Sequence, residues 1–197
     1  MPFTLQPVTL KGTHATLVPL DAAHTHSLSE AARDGELWRL WYTSVPAPED
    51  MSREIDRRLS LLSAGTMLPF TVLDSTGTPA GMTTYMNVDA INHRVEIGST
   101  WYASRVQRTA LNTECKLLLL THAFEQLQCI AVELRTHILN TQSRRAIERI
   151  GAKLDGILRN HMRMPNGTLR DTVVYSIIES EWPTVRAHLH WQLQKDR

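Results

Sequence analysis

The sequence predicts one mixed α+β domain, a central and mostly antiparallel twisted sheet flanked by helices. Three observations carry this. Runs rich in β-branched and aromatic residues alternate with amphipathic helical stretches. Some neighbouring strands are joined by short turn-forming sequences and so form hairpins, while others are separated by whole helices. The composition is ordinary for a globular chain, 197 residues with 42% hydrophobic and 21% charged. With no internal repeat, low-complexity tract or linker, this points to a single domain over 1–197 with a sizeable core.

Residues 14–19 read as a strand, with Thr16, Leu17 and Val18 at its centre. Asp21 is a candidate N-cap for a helix to Arg33, which Asp34-Gly35 ends. The short aromatic segment 36–42 follows, closed by Pro46 and Pro48. Residues 50–64 form an amphipathic helix whose face carries Met51, Ile55, Leu59 and Leu62, with Gly65 at its C-terminal stop. Strands at 68–74 and 80–88 flank the turn Ser75-Thr76-Gly77-Thr78, and 94–102 is a third strand. A polar stretch, 104–109, leads into a helix over about 110–126. Residues 130–137 are a strand, and Asn140 or Thr141 caps a helix ending at Gly151. Strands at 153–163 and 169–178 surround Pro165-Asn166-Gly167, a strong hairpin signal, and a helix over 180–194 closes the chain.

Charge and composition exclude several functions. With 21 Lys+Arg against 20 Asp+Glu, there is no electrostatic case for nucleic acid or an acidic membrane. No apolar run reaches the roughly 20 residues of a membrane span, and the N-terminus lacks the pattern of a secretory signal. Cys115 and Cys129 lie 14 residues apart with no CxxC, which excludes a disulfide scaffold and makes the cytoplasm the expected compartment. The pairs His24/His26 and His188/His190 point to different sides of a helix, so surface histidines are expected and no metal site. Cys115 precedes an apolar run and reads as a buried thiol rather than a nucleophile.

Two segments carry chemistry. Residues 101–112 take a strand into a helix through a polar loop with Arg105 and Arg108. The free N–H groups of such a helix start make an anion site; an ordinary connection with solvated arginines is the alternative. Residues 140–151 open another helix with Asn140, either a plain cap or a polar group offered to a ligand.

Taken together, and about 30 residues apart, these segments resemble the GCN5-related N-acetyltransferases (GNAT), within them the bacterial ribosomal-protein N-acetyltransferase (RimJ/RimL-type) branch. In that family a Gln/Arg-x-x-Gly-x-Gly/Ala loop follows a V-shaped strand split and binds the coenzyme A pyrophosphate. Gln107-Arg108-Thr109-Ala110-Leu111-Asn112 matches its first position and departs at Ala110 and Asn112. Ala110 adds a Cβ that a close phosphate must fit, and Asn112 offers a hydrogen-bonding side chain. Glu96-Ile97-Gly98 resembles the family's E-h-G strand, with one extra residue before Gln107 that fits a β-bulge. Asn140-x-x-Ser143 with Gly151, and Gly167 to Asp171 with Tyr175-Ser176, resemble the later helix and closing hairpin.

The resemblance implies acetyl transfer from acetyl-CoA to a primary amine, small-molecule or peptide, in a ternary complex, without metal. The coenzyme is expected at Trp101, Tyr102, Gln107, Arg108, Thr109, Ala110, Leu111, Asn112, Asn140 and Ser143. Trp38, Trp41 and Tyr42 are expected to wall the acceptor site. Glu96 is the candidate general base, against a surface glutamate paired with Arg94 or a lysine. Backbone N–H groups near Trp101 and Tyr102 are the candidate oxyanion donors. The family's tyrosine seven residues after the asparagine is Ile147 here, so Ser143 is the expected partner of the leaving thiolate, with Tyr102 and Tyr175 as alternatives. The family's habit also suggests a homodimer. The competing reading is a catalytically silent coenzyme A-binding protein acting as sensor or partner subunit.

Overall fold

The computed structural model describes residues 3–195, so residues 1–2 and 196–197 of the expected domain lie outside the described residues. The elements run β1 (Leu10–Lys11), β2 (Ala15–Pro19), α1 (Thr25–Arg33), α2 (Met51–Ser63), β3 (Leu68–Asp74), β4 (Pro79–Asp89), β5 (Arg94–Tyr102), α3 (Leu111–Thr121), β6 (Ala131–His137), α4 (Thr141–Arg149), β7 (Lys153–Arg163), β8 (Leu169–Ile178) and α5 (Trp182–Gln194). The strands form one sheet in the order β1-β2-β3-β4-β5-β6-β8-β7. Every pairing is antiparallel except β5 with β6, as the expected hairpins and crossovers require.

Each face of the sheet has its own core. One gathers Val95, Ile97, Tyr102, Val132, Leu134, Val173, Tyr175 and Ile177 of the sheet with Leu111, Cys115 and Leu119 of α3 and Val185 and Leu189 of α5. The other packs Leu28, Ala31, Ala32, Met51 and Ile55 of α1 and α2 onto Met82 and Trp101. The strand alternation seen in the sequence thus sorts side chains between two helical layers.

Local differences from the sequence reading have identifiable causes. The two-residue strand β1, not predicted, is too short to show alternation, and it pairs with β2. Its turn is tied to α3 by Glu114, whose carboxylate accepts N–H bonds from Thr13, His14 and Ala15. The helix expected over 110–126 is α only to Thr121 and widens into a π-turn over His122–Gln126. There the Tyr85 hydroxyl donates to the Leu119 carbonyl at 2.5 Å. That carbonyl is the one an unbroken α-helix offers to residue 123. Within the short aromatic segment 36–42, residues 37–39 form one 3₁₀ turn.

β4 approaches β5 so closely at Gly81 that a Cβ there would lie 2.1 Å from the Trp101 carbonyl oxygen and 2.9 Å from Tyr102 Cα. Both contacts are backbone, and the residue has a φ of +156°. Gly81→Ala is expected to cost about 3 kcal/mol, read as a lower urea midpoint with an unchanged slope.

Candidate active site

β5 and β6 pair in parallel only at Arg94↔Ala131, Val95↔Val132 and Glu96↔Glu133. Beyond these three pairs the strands part, and a cleft of about 840 Å³ opens between them. Its walls come from the ends of β5 and β6, the loop 107–112, the start of α4, the segment 37–45 and the β7–β8 hairpin.

The expected bulge is in β5. Met82 pairs with Trp101 and Thr84 with Gly98, so two steps on β4 face three on β5. Ser99 takes the strain with a φ of +48°. The extra residue changes which side chains share a face. An unbroken strand puts Trp101 opposite Glu96 and Gly98. Instead, a Cβ on Gly98 would meet Glu96 Oε1 at 2.9 Å, which puts Glu96 and Gly98 on one face. Gly98 pairs with Thr84, whose hydroxyl accepts from Arg58 of α2 at 2.7 Å. Trp101 packs with α1 and α2, so it shares that face, while Ile97 and Tyr102 pack toward α3.

Glu96 is only 6% exposed. Its Oε2 accepts from Asn87 Nδ2 at 2.7 Å and lies 3.4 Å from Arg135 Nε. Asn87 sits at a second irregularity, in β4, with a φ of +47°. Arg94 pairs with Glu133 rather than Glu96, whose ion-pair partner is Arg135. Burial pushes the Glu96 carboxyl above its ordinary range, against the downward pull of Asn87 and Arg135.

The two arginines of the polar loop part company. Arg105 is held by Asp74 at 2.5 Å and by the Pro79 carbonyl. Arg108, with a φ of +61°, lines the cleft together with Gln107, Thr109 and Asn112. The backbone N–H groups of Arg108, Thr109 and Ala110 have no acceptor among the described residues. They stand at the start of α3, where an anion is favoured. Gln107 is oriented by its Nε2 bond to the Tyr102 carbonyl, 2.9 Å. The side chains of Ala110 and Leu111 do not reach the cleft, and Leu111 is a core residue.

Asn140 caps α4, its Oδ1 accepting from Ser143 N at 3.0 Å. Asn140, Ser143 and Ile147 all line the cleft. Neither tyrosine alternative offers its hydroxyl there. Tyr175 donates to Glu148 at 2.8 Å and accepts from Arg144, and the Tyr102 hydroxyl is buried beside Cys115. Tyr42 lines the cleft, and Trp41 stands edge-on to both Tyr42 and His137 at 5.7 and 5.2 Å. Trp38 and Trp41 are both outside the lining.

Burial pushes the Cys115 thiol up to about 12, which leaves it no nucleophilic role at neutral pH. Among the described residues, no three His, Cys, Asp or Glu side chains gather as metal ligands, and no helix is long and apolar enough to cross a membrane.

Several residues of the cleft escaped the sequence reading. Arg135 and His137 follow Glu133 at alternate positions on β6, and Arg170 and Thr172 alternate likewise on β8. Their spacing was readable, but only the partition of the core shows that this face lies away from α3 and α5. Lys116 follows Asn112 by one helical turn and also lines the cleft. Its Nζ lies 3.2 Å from Thr100 Oγ1, and burial lowers its pKa to about 8.

Comparison with known proteins gives the fold a family. Residues 14–153 match the family model described as an acetyltransferase (GNAT) domain. A GCN5-related N-acetyltransferase from Brucella melitensis is 28% identical, with a TM-score of 0.87 over 98% of this chain and 88% of that one. The Bacillus subtilis (strain 168) protein "Putative ribosomal N-acetyltransferase YdaF" is 34% identical over 106 residues, 54% of this chain. The matched stretch spans 57% of that relative's length. A RimL ribosomal L7/L12 α-N-protein acetyltransferase, solved in complex with coenzyme A, is 18% identical and shares the fold, with a TM-score of 0.74 over 87% of this chain and 98% of that one.

The β5 bulge rests on Arg58, which is 1% exposed. Its guanidinium bonds Glu54 at 2.7 Å and Thr84, and approaches the Ser99 carbonyl at 3.5 Å. Arg58→Met leaves Glu54 on Arg57 but removes the buried donor to Thr84 and releases the bulge. A loss of about 2 kcal/mol is expected, measured by chemical denaturation.

Proposed function

Because the chain belongs to the acetyltransferase (GNAT) domain family, we propose that it is an acetyl-CoA-dependent N-acetyltransferase acting on a primary amine, in a protein, a peptide or a small molecule. The observation that carries this reading is the buried Glu96 carboxylate on the Trp101 face of β5, where the strands part. The unpaired N–H groups at 108–110, with Arg108 and Asn112, fit the diphosphate of coenzyme A. The pantetheine arm runs along Trp101 and Tyr102 toward Asn140 and Ser143. The thioester supplies an activated acyl carbon.

The amine must attack as the free base, yet amines with pKa near ~8–10 arrive mostly protonated. Glu96 takes that proton, directly or through one water. The amine nitrogen bonds to the acyl carbon, and the oxygen charge that develops is met by backbone N–H groups beside the bulge. The carbon–sulfur bond then breaks as the nitrogen gives up its second proton, which the departing thiolate takes up beside the Ser143 hydroxyl, a group that makes no protein hydrogen bond among the described residues. Tyr42 walls the acceptor side with Trp41 packed edge-on against it, and the name of the ribosomal N-acetyltransferase relative supports a ribosomal-protein amine as acceptor. A silent coenzyme-binding role is not favoured, because it leaves the buried carboxylate and the free hydroxyl of one cleft without a purpose. A cytoplasmic setting belongs to the same proposal.

The test is thiol release from acetyl-CoA across an amine panel. Glu96→Gln should lower kcat at least about tenfold, with acetyl-CoA affinity unchanged. The raised carboxyl pKa fixes the signs. The acidic limb of kcat/KM should titrate above the ordinary value of 4.5 and vanish in the variant. The folded state holds this proton more tightly than the unfolded chain, so burial of Glu96 lowers stability as pH rises through that window. Glu96→Gln should therefore melt no lower than the parent at pH 7; a near-normal rate would make Glu96 structural. Ser143→Ala should lower turnover more than affinity, and Arg108→Glu should weaken coenzyme binding, most at low salt.

A homodimer is also proposed, supported by the edge strand β7. It is exposed along its length and carries Leu154, Ile157, Leu158 and Met162, an apolar edge that free chains avoid. Light scattering should exceed the 22.4 kDa monomer mass, and Ile157→Lys should restore it.

A further inference from the structure

Resting on the acetyltransferase reading, we propose that Arg170 selects the acceptor by binding a carboxylate carried close to the reactive amine. The argument begins with the face of the sheet on which it stands. Val132 and Leu134 of β6 and Val173, Tyr175 and Ile177 of β8 pack toward α3 and α5. The alternate positions Glu133, Arg135 and His137 on β6, and Arg170 and Thr172 on β8, therefore present the opposite face. Glu96 pairs with Glu133 on that face, and His137 pairs with Thr172. The proposed base and Arg170 thus share one wall of the cleft.

Among the charged groups that β5, β6 and β8 present on that wall, Arg170 stands apart from the matched ones. Glu133 is neutralised by Arg94 at 2.6 Å and Arg135 at 2.7 Å. Glu96 has Asn87 and Arg135. Arg170 has only Nε committed, to Thr172 Oγ1 at 3.0 Å. Among the described residues its two terminal nitrogens make no hydrogen bond, and no carboxylate lies within ion-pair distance of it. The guanidinium is half-buried, and burial lowers its pKa although Glu96 is close enough to raise it. Arg163 and His161 line the same end of the cleft, and Glu96 is the sole acidic residue of the lining.

A half-buried guanidinium with two free donors is the geometry that a carboxylate fills in a fork. An acceptor arriving as a bare ammonium meets Arg170 as a like charge. One that brings its own carboxylate pairs with Arg170 while its amine faces Glu96. Two sources share that chemistry, the α-carboxylate of a free amino acid and the acidic side chain of an N-terminal residue.

The experiment compares matched acceptors by thiol release from acetyl-CoA. One pair is aspartyl-alanyl-alanine amide against its asparaginyl counterpart, and the other is alanine against alaninamide. The carboxylate-bearing member of one pair should show a kcat/KM higher by about tenfold or more, mainly through KM. Preference in the first pair identifies an acidic N-terminal residue; preference in the second identifies a free amino acid. Arg170→Gln should abolish the preference while KM for acetyl-CoA stays constant, and Arg170→Lys should retain part of it. Equal treatment within both pairs, or a preference that survives Arg170→Gln, overturns the proposal. Calorimetric titration of the coenzyme A-loaded protein with the members of both pairs reads the same preference without turnover. Absent thiol release with every amine therefore strikes the acetyltransfer reading, whereas equal affinities within both pairs strike Arg170.

Discussion

The fold turns on a parallel strand pair that holds for only three residues. Elsewhere the sheet satisfies its backbone strand by strand. Where β5 and β6 diverge, main-chain donors and acceptors face open space, and a buried backbone group without a partner is costly. The parting is sustained by what stands on either side of it. β6 continues its full length on β8, from Ala131↔Ile178 to His137↔Thr172. β5 continues on β4 through Tyr102. Each strand keeps one complete neighbour, so the gap between them costs one ladder rather than two.

The bulge at Ser99 does a second job, because it moves Trp101 onto the face that Glu96 already occupies. Two buried cations bracket it. Arg58 reaches it from α2 and Lys116 from α3, through Ser99 and Thr100. A negative charge developing at this stretch of main chain lies between two positive groups that water screens poorly. Lys116 is the weaker of the two as pH rises, since its pKa is lowered to about 8.

Most of the architecture was legible in the sequence because its signals are local. The 94–102 strand, the Asn140 cap and the Asn166-Gly167 hairpin appear as expected. The bulge was legible too, as one residue too many before Gln107. The π-turn was not, because it depends on the Tyr85 hydroxyl arriving from a distant strand. The site divides in the same way. The loop and the Asn140–Ser143 helix start are contiguous stretches and could be read. Arg170, His137 and Arg58 come from separate elements and meet only when the sheet is assembled. Alternation predicts that they share a face with their neighbours, but not which face is free.

Cys115 and Cys129 are both buried, and burial holds each thiol near 12. At neutral pH both stand as thiols rather than thiolates. For the reaction proposed above, whose donor is a thioester and whose product is a free thiol, that is a chemical safeguard. The protein's own sulfur neither intercepts the acyl group nor forms a mixed disulfide with the spent coenzyme. The chain is thereby expected to tolerate oxidising conditions and alkylating reagents that disable acyltransferases with an exposed cysteine.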